Sequence, residues 1–98
     1  MMRYKMYVTI TDPDVPKGTL NTLNFALDWV FSRNEKTYGN GYYARVKGEG
    51  FESMGFDLRY ENSFDKNNKE KWLEEWAKGY WSGEKGSWKV EKLEIKKI

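Results

Sequence analysis

The order of periodic segments in this chain predicts an α+β fold, a ferredoxin-like βαββαβ sandwich in which two helices cover one face of a four-stranded antiparallel sheet. Three observations favour it: four segments with period-two alternation, two segments with helical spacing of apolar residues, and turn residues between them. The expected strand order is 4-1-3-2, with right-handed crossovers. A three- or four-stranded meander with a helix on each side is the alternative. Under either prediction residues 1–98 form one domain and one sheet face stays open.

The first strand is indicated by alternation that stops at the Asp12-Pro13-Asp14 turn. Its buried side would carry Tyr4, Met6, Val8 and Ile10.

The first helix is predicted from Thr19, as N-cap, to about Arg33, with Asn34 after it in the αL conformation. On a 3.6-residue wheel an apolar face collects Leu20, Leu23, Leu27, Val30 and Phe31. Phe25 and Trp29 fall opposite that face, four residues apart. A helix with one buried side would therefore expose both aromatic rings.

The middle of the chain predicts a hairpin closed by Lys47-Gly48-Glu49-Gly50. The second strand, Tyr38 to Val46, would bury Tyr42, Ala44 and Val46, and the third would bury Met54, Phe56, Leu58 and Tyr60.

A second amphipathic helix follows, with Asn67 and Glu70 resembling a capping box and Gly83 as the C′ residue. Its apolar positions are Trp72, Leu73, Trp76, Ala77, Tyr80 and Trp81. The last strand, Ser87 to Ile98, changes phase near Glu91-Lys92, which predicts a bulge there.

The composition argues against several classes of function. Without cysteine there is no disulfide, thiolate nucleophile or cysteine-held metal, and without histidine the usual general base and imidazole ligand are absent. We therefore expect no catalytic residues, no metal site, no cofactor and no enzymatic activity. A net charge of +2 gives no strong field toward nucleic acid or membrane. No apolar run approaches the roughly 20 residues of a membrane span and no signal peptide is evident, so a cytoplasmic location without membrane contact is expected.

The leading functional hypothesis is a small non-enzymatic binding protein that acts through a protein contact. Its surface would be the outer face of the first helix, with Phe25 and Trp29 as the contact residues. The partner would be a second copy, giving a homodimer, or another protein. In its Lys-, Asn-, Tyr- and Glu-rich composition, without cysteine or histidine, the chain resembles accessory proteins of phages and mobile elements, including inhibitors of host defence factors.

The open sheet face supports a rival hypothesis. It would present Lys5, Tyr7, Thr9, Tyr43, Arg45, Lys47, Ser53, Asp57 and Arg59. Met6-Tyr7-Val8-Thr9 resembles the first-strand motif of RNA-recognition-motif domains, with Tyr7 at the stacking position, and Lys47-Gly48-Glu49-Gly50-Phe51 resembles the start of their third-strand motif. Glu49 and Met54 stand where that family has aromatics.

The resemblance implies a single-stranded nucleic-acid binder, and its candidate residues here are Tyr7, Tyr43, Arg45, Lys47 and Arg59. The structural alternative is that Tyr7 and Tyr43 are a cross-strand pair that stabilises the sheet. A third hypothesis is a protein that sequesters a small molecule in an aromatic pocket near Trp81 and Trp88.

Overall fold

The computed structural model describes residues 2–15, 21–33, 41–84 and 86–98, which form an antiparallel sheet with a helix packed on one face. The strands are β1 (Met2–Thr11), β2 (Thr22–Arg33), β3 (Tyr42–Gly48), β4 (Phe51–Asp57) and β5 (Lys89–Lys97). A 3-10 turn (Leu58–Tyr60) follows β4, and α1 (Lys69–Gly79) continues into a π-helical turn (Tyr80–Glu84). Within the described ranges no helix is long and apolar enough to cross a membrane.

The sheet order is β4-β3-β2-β1-β5, so β1 to β4 form a meander and β5 returns to pair with the free side of β1. The ferredoxin-like prediction is therefore wrong. The sheet has five strands rather than four, the order 4-1-3-2 does not occur, and within the described residues a single α-helix covers the sheet. The meander alternative anticipated the connection of consecutive strands but also placed a helix where β2 lies.

The predicted first helix is the strand β2, and the reason lies in its alternation. Leu23, Phe25, Leu27, Trp29 and Phe31 alternate with smaller or polar residues throughout β2. A strand turns this whole set toward the core, whereas a helix would leave Phe25 and Trp29 outside. Burial of two more large rings therefore favours the strand. Thr19, Leu20 and Asn34, which the helix prediction also used, lie outside the described residues.

The remaining elements follow the sequence prediction closely. The hairpin turn is confirmed between β3 and β4, where Gly50 adopts a positive φ of 73°. The bulge in the last strand is confirmed too: Thr9 pairs with Lys92 and Ile10 with Val90, which leaves Glu91 as the extra residue.

Three details of the predicted elements are corrected. The N-cap of α1 is Asn68, whose side chain accepts a hydrogen bond of 3.1 Å from the Lys71 N–H, so the capping box predicted at Asn67 is one residue early. The helix ends at Gly79 and the π-helical turn runs past Gly83. Tyr60 is 76% exposed because β4 ends at Asp57 and the 3-10 turn breaks the alternation.

The core is an aromatic cluster centred on Trp29, which is 0% exposed at the middle of the sheet. Its ring packs edge-on against Trp72 and Trp76 of α1, with centroid distances of 5.6 and 4.7 Å, and stacks at 5.9 Å on Phe56. Edge-to-face and offset aromatic pairs each add stabilisation beyond the area they bury. Trp29 thus connects α1 with β2, its own strand, and with β4.

We expect Trp29→Ala to lower the free energy of unfolding by about 3–5 kcal/mol, since it leaves a cavity where an indole ring joined the sheet to α1. Urea denaturation followed by circular dichroism would measure this change. The matched control is Tyr60→Ala, which removes an exposed aromatic ring and should change stability by no more than about 0.5 kcal/mol. Equal effects of the two substitutions would contradict the central position of Trp29.

Candidate functional site on the uncovered sheet face

The face of the sheet opposite α1 carries polar and basic side chains, because each strand alternates between core and solvent. Strand pairing brings onto this face Arg3, Lys5, Tyr7, Thr9, Asn24, Ala26, Asp28, Val30, Tyr43, Arg45, Lys47, Gly55, Lys92, Glu94 and Lys96. Of the residues that the sequence placed on one open face, strand pairing puts Lys5, Tyr7, Thr9, Tyr43, Arg45, Lys47 and Asp57 there.

Two rows of this face run across the strands and concentrate positive charge. In one row Lys5 lies opposite Lys96 and Asp28, and Asp28 lies opposite Lys47. Neighbouring strands are about 4.8 Å apart, so this row spans about 14 Å from β5 to β3.

The next row, two residues along each strand, holds the arginines. Val30 lies between Arg3 and Arg45, and Arg45 lies opposite Gly55. We call the two rows together the basic band. It contains five cationic side chains and a single acidic one, Asp28.

Two of the lysines in the basic band already have acidic partners. Lys5 Nζ lies 2.9 Å from Asp28 Oδ1, and Lys96 Nζ lies 3.2 Å from Glu94 Oε1. Within the part of the chain that the structure describes, Arg3, Arg45 and Lys47 form no ion pair. The uncompensated charge of the face therefore lies on β1 and β3, on either side of β2.

A hollow of about 560 Å³ lies at this uncompensated end of the basic band. Val30 and Gly55 are among the small or apolar residues that line it, and Tyr43 lies beside them. A Cβ atom added at Gly55 would be 1.7 Å from the Tyr43 hydroxyl oxygen. Glycine at position 55 therefore lets the Tyr43 side chain lie close to the sheet, as aromatic side chains do over glycine in other strands.

The hollow and its rim combine three features on one surface. Arg3, Arg45 and Lys47 provide cationic N–H donors, the lining provides small and apolar surface, and Tyr43 provides an aromatic wall. Asp28, whose carboxylate pairs with Lys5, also lines the hollow. Such an arrangement can hold an anion next to a flat ring. It suits a ligand whose phosphate and ring are adjacent.

The protein-contact surface predicted at Phe25 and Trp29 is not present. Trp29 is fully buried, and the half-buried Phe25 stacks on Trp81 with centroids 5.8 Å apart and packs edge-on against Phe51. Both side chains point to the core face of β2, because the segment is a strand and not a helix. The contact hypothesis therefore loses the residues on which it depended.

Tyr7 and Tyr43 share the uncovered face but are not a cross-strand pair. Tyr7 lies opposite Ala26 on β2 and Tyr43 lies opposite Ser32, six residues further along that strand. At 3.3–3.4 Å per residue this separates them by about 20 Å. The cross-strand pair needs β1 next to β3, and here β2 intervenes. The RNA-recognition-motif arrangement needs β1 next to the strand of the third-strand motif, and that strand is β4, which β2 and β3 separate from β1.

The two tyrosines differ in their surroundings. Tyr7 is 44% exposed, and Lys96 Nζ lies 6.0 Å from its ring centroid. Tyr43 is half-buried beside Gly55. Tyr7 therefore presents its ring at the β1–β5 side of the face, whereas Tyr43 lines the hollow at the other side.

Arg59 lies in the 3-10 turn beyond β4 and is held away from the basic band. Its Nε donates hydrogen bonds of 3.0 and 3.2 Å to the two carboxylate oxygens of Asp57, and Nη2 pairs with the same group. The hydrogen bonds from Arg59 lower the pKa of the Asp57 carboxyl, and the same bonds raise the pKa of Arg59. A residue predicted to bind nucleic acid is thus part of a local turn structure.

Trp81 and Trp88 are brought together, as the pocket hypothesis requires. The Trp88 N–H donates a hydrogen bond of 3.2 Å to the Trp81 carbonyl oxygen, and both residues line an open groove of about 340 Å³ with Phe25 and Phe51. Trp81 is only 3% exposed because its ring packs among Phe25, Trp76 and Tyr80. Sequestration of a small molecule at this groove stays a prediction.

Sequence reasoning missed Arg3, Val30 and Gly55, which complete the hollow. Val30 was assigned to a helix, so its place between Arg3 and Arg45 could not be seen. The strict alternation of large apolar residues with smaller or polar ones in β2 was the signal that would have placed Val30 on this face.

Comparisons of the chain with protein-family models, curated proteins and solved structures found no match.

We expect Arg59→Gln to raise the pKa of Asp57 toward its ordinary value of about 4. In the native protein the lowered pKa means that the ionised carboxylate stabilises the fold above about pH 4, and that this contribution is lost as the pH falls through the lowered value. NMR titration of the Asp57 side-chain carboxyl carbon measures the shift. Lys78→Gln, which removes a cation from the exposed side of α1, is the control and should leave this titration unchanged.

Proposed function

We propose that the protein binds single-stranded nucleic acid on the uncovered face of its sheet, with Arg3, Arg45 and Lys47 as the phosphate-binding residues. The observation that carries the proposal is the set of three cations without ion-pair partners in the described part of the chain, around the hollow beside Tyr43. Proteins that bind single strands combine a basic surface with aromatic side chains in this way.

Charge supports a phosphate ligand at the part of the basic band that holds Arg3, Arg45 and Lys47. An anion there would meet guanidinium and ammonium groups that need not first release an internal carboxylate, unlike Lys5, which is paired with Asp28. Phosphate binding by such groups releases counterions and is therefore weakened by salt. With a net charge of +2 for the whole chain, we expect binding that is easily reversed by salt.

The shape of the face supports a single strand over a duplex. The helix α1 lies on the opposite side of the sheet, so it cannot enter a major groove from this surface. The shallow hollow, with Val30 and Gly55 in its lining, leaves room for an unpaired base next to the cations. A longer single strand of nucleic acid would also reach Tyr7 and Thr9, which lie on the same face.

A protein contact remains an untested prediction, as does inhibition of a host defence factor by a phage or mobile-element protein. The burial of Trp29 and the packing of Phe25 give these roles no support from the residues first named for them. A cytoplasmic location and the absence of enzymatic activity are further expectations that belong to this proposal.

The double substitution Arg45→Ala with Lys47→Ala should weaken binding of mixed-sequence single-stranded DNA or RNA by about tenfold or more at low salt, since two charge-assisted contacts are lost. Fluorescence anisotropy of a labelled oligonucleotide between about 50 and 200 mM salt measures both affinity and salt dependence. The slope of log affinity against log salt should fall by about 1.4, because each lost single-strand phosphate contact accounts for about 0.7.

The matched control for this experiment is Lys66→Ala with Lys71→Ala. It removes the same charge from exposed positions on the helix side of the molecule, outside the basic band. Equal losses in the two double variants would mean that only net charge matters, and the assignment of the face would fail. Binding of a duplex as tight as that of the single strand would remove the single-strand specificity.

A further inference from the structure

The strand β5 lies at one edge of the sheet, and most of its length is regular. Among the described residues it pairs with β1 on one side only, and the register from Lys92 to Lys97 is continuous. The bulge at Glu91 interrupts the pattern at the other end. A regular, unpaired strand edge is a template for another strand unless something blocks it.

The backbone groups that point away from β1 can be identified from the register. Ile98 N–H donates a hydrogen bond of 3.0 Å to the Arg3 carbonyl, so this pair is a hydrogen-bonded one. Hydrogen-bonded and non-hydrogen-bonded pairs alternate along an antiparallel ladder. Leu93, Ile95 and Lys97 therefore direct their N–H and C=O groups to the outer edge of β5.

Apolar side chains of β5 lie along this edge on the core side of the sheet. Val90, Leu93 and Ile95 are half-buried and line an open groove of about 780 Å³ between β5 and α1. Charged residues of both signs form the helix side of the groove: Glu70, Lys71, Glu74 and Lys78. An added strand would cover the apolar residues of β5 while pairing with its edge.

We propose that the occupant of this edge is the β5 strand of a second copy of the chain, paired antiparallel about a twofold axis at Ile95. A twofold axis normal to the sheet joins the two edges with both helices on the same side, and this makes a continuous ten-stranded sheet. Such an isologous contact is the usual interface of soluble homodimers. The proposal is independent of nucleic-acid binding.

The charge sequence of β5 selects the register. Paired about Ile95, Glu94 of each copy lies opposite Lys96 of the other, which gives two opposite-charge pairs on the uncovered face. Paired about Glu94, this residue would face its own copy and Lys92 would face Lys96, so every charged pair on the uncovered face would be repulsive.

The bulge excludes a third register. A twofold axis at Leu93 would bring the irregular Glu91 position opposite Ile95, where the outer ladder needs a regular pair. The Ile95 register uses only residues on the regular side of the bulge, from Lys92 to Ile98. It is therefore the one that satisfies both the backbone and the charges.

Sedimentation equilibrium of the purified protein, without nucleic acid, tests the proposal. We expect a dimer, and we expect Lys96→Glu to raise its dissociation constant by about tenfold or more, because two attractive pairs become repulsive. Adding Glu94→Lys to that variant exchanges the two charges and should restore the dimer. A monomer at every concentration, or a dimer that Lys96→Glu leaves intact or that the exchange does not restore, overturns the proposal.

Lys92→Glu is the matched control, with the same change of charge on the same strand and face. In the Ile95 register Lys92 lies opposite Ile98 of the partner and has no charged partner across the axis, so the dimer should persist. Loss of the dimer in this variant would overturn the Ile95 register, since Lys92 lies opposite Glu94 only when the axis is at Leu93.

Amide hydrogen exchange of the unmodified protein provides a test that needs no variant. Raising the protein concentration should slow exchange at Leu93, Ile95 and Lys97, whose N–H groups point outward. The N–H groups of Lys92, Glu94 and Lys96 already face β1 and should change less. Equal behaviour of the two sets would contradict pairing at the β5 edge, whether or not the protein binds nucleic acid.

Discussion

The fold depends on one constraint, which is that every large apolar side chain of β2 must reach the same side of the sheet. β2 is the middle strand of five, and Trp29 at its centre contacts α1, Phe31 of the same strand and Phe56 of β4. The indole Nε1 of Trp29 is the one buried side-chain nitrogen or oxygen without a hydrogen-bond partner in the described part of the chain. An unsatisfied N–H has a cost, so the packing of the ring itself must supply the stabilisation.

The same constraint determines which side chains lie on the uncovered face. Because alternation sends Leu27, Trp29 and Phe31 to the core, Asp28 and Val30 must point to the uncovered side between β1 and β3. Basic residues of the two flanking strands then lie on either side of β2, and Asp28 offsets the charge of Lys5 alone. The uncompensated charge at Arg3, Arg45 and Lys47 is thus a consequence of strand register. No long loop is needed to assemble the site.

The type of most single elements could be predicted from the sequence, whereas the order in which the strands pair could not. The alternation of β1, β3 and β4 and the helical spacing of α1 each indicated the right element and, apart from the exposed Tyr60 beyond β4, the right buried side. For β2, Leu23, Leu27 and Phe31 fit a helix as well as a strand, since positions four apart share a face in both. Phe25 and Trp29 distinguish the two, because only a strand buries them with the others. Without β2, no argument could place Val30 beside Arg45 or separate Tyr7 from Tyr43.

The two edges of the sheet differ in regularity and in charge pattern, and this difference affects which edge can pair with another chain. At the β4 edge, a register shift near Lys47, the glycine at position 55 and the 3-10 turn after Asp57 shorten the regular ladder. At the β5 edge the bulge lies near one end and the lysines alternate with glutamates. Lysine alone protects an edge by repulsion, whereas an alternating pattern is compatible with its own antiparallel copy. The contrast favours β5 over β4 as the edge that pairs, and it leaves the basic band accessible because the added strand lies beside the sheet and not on its face.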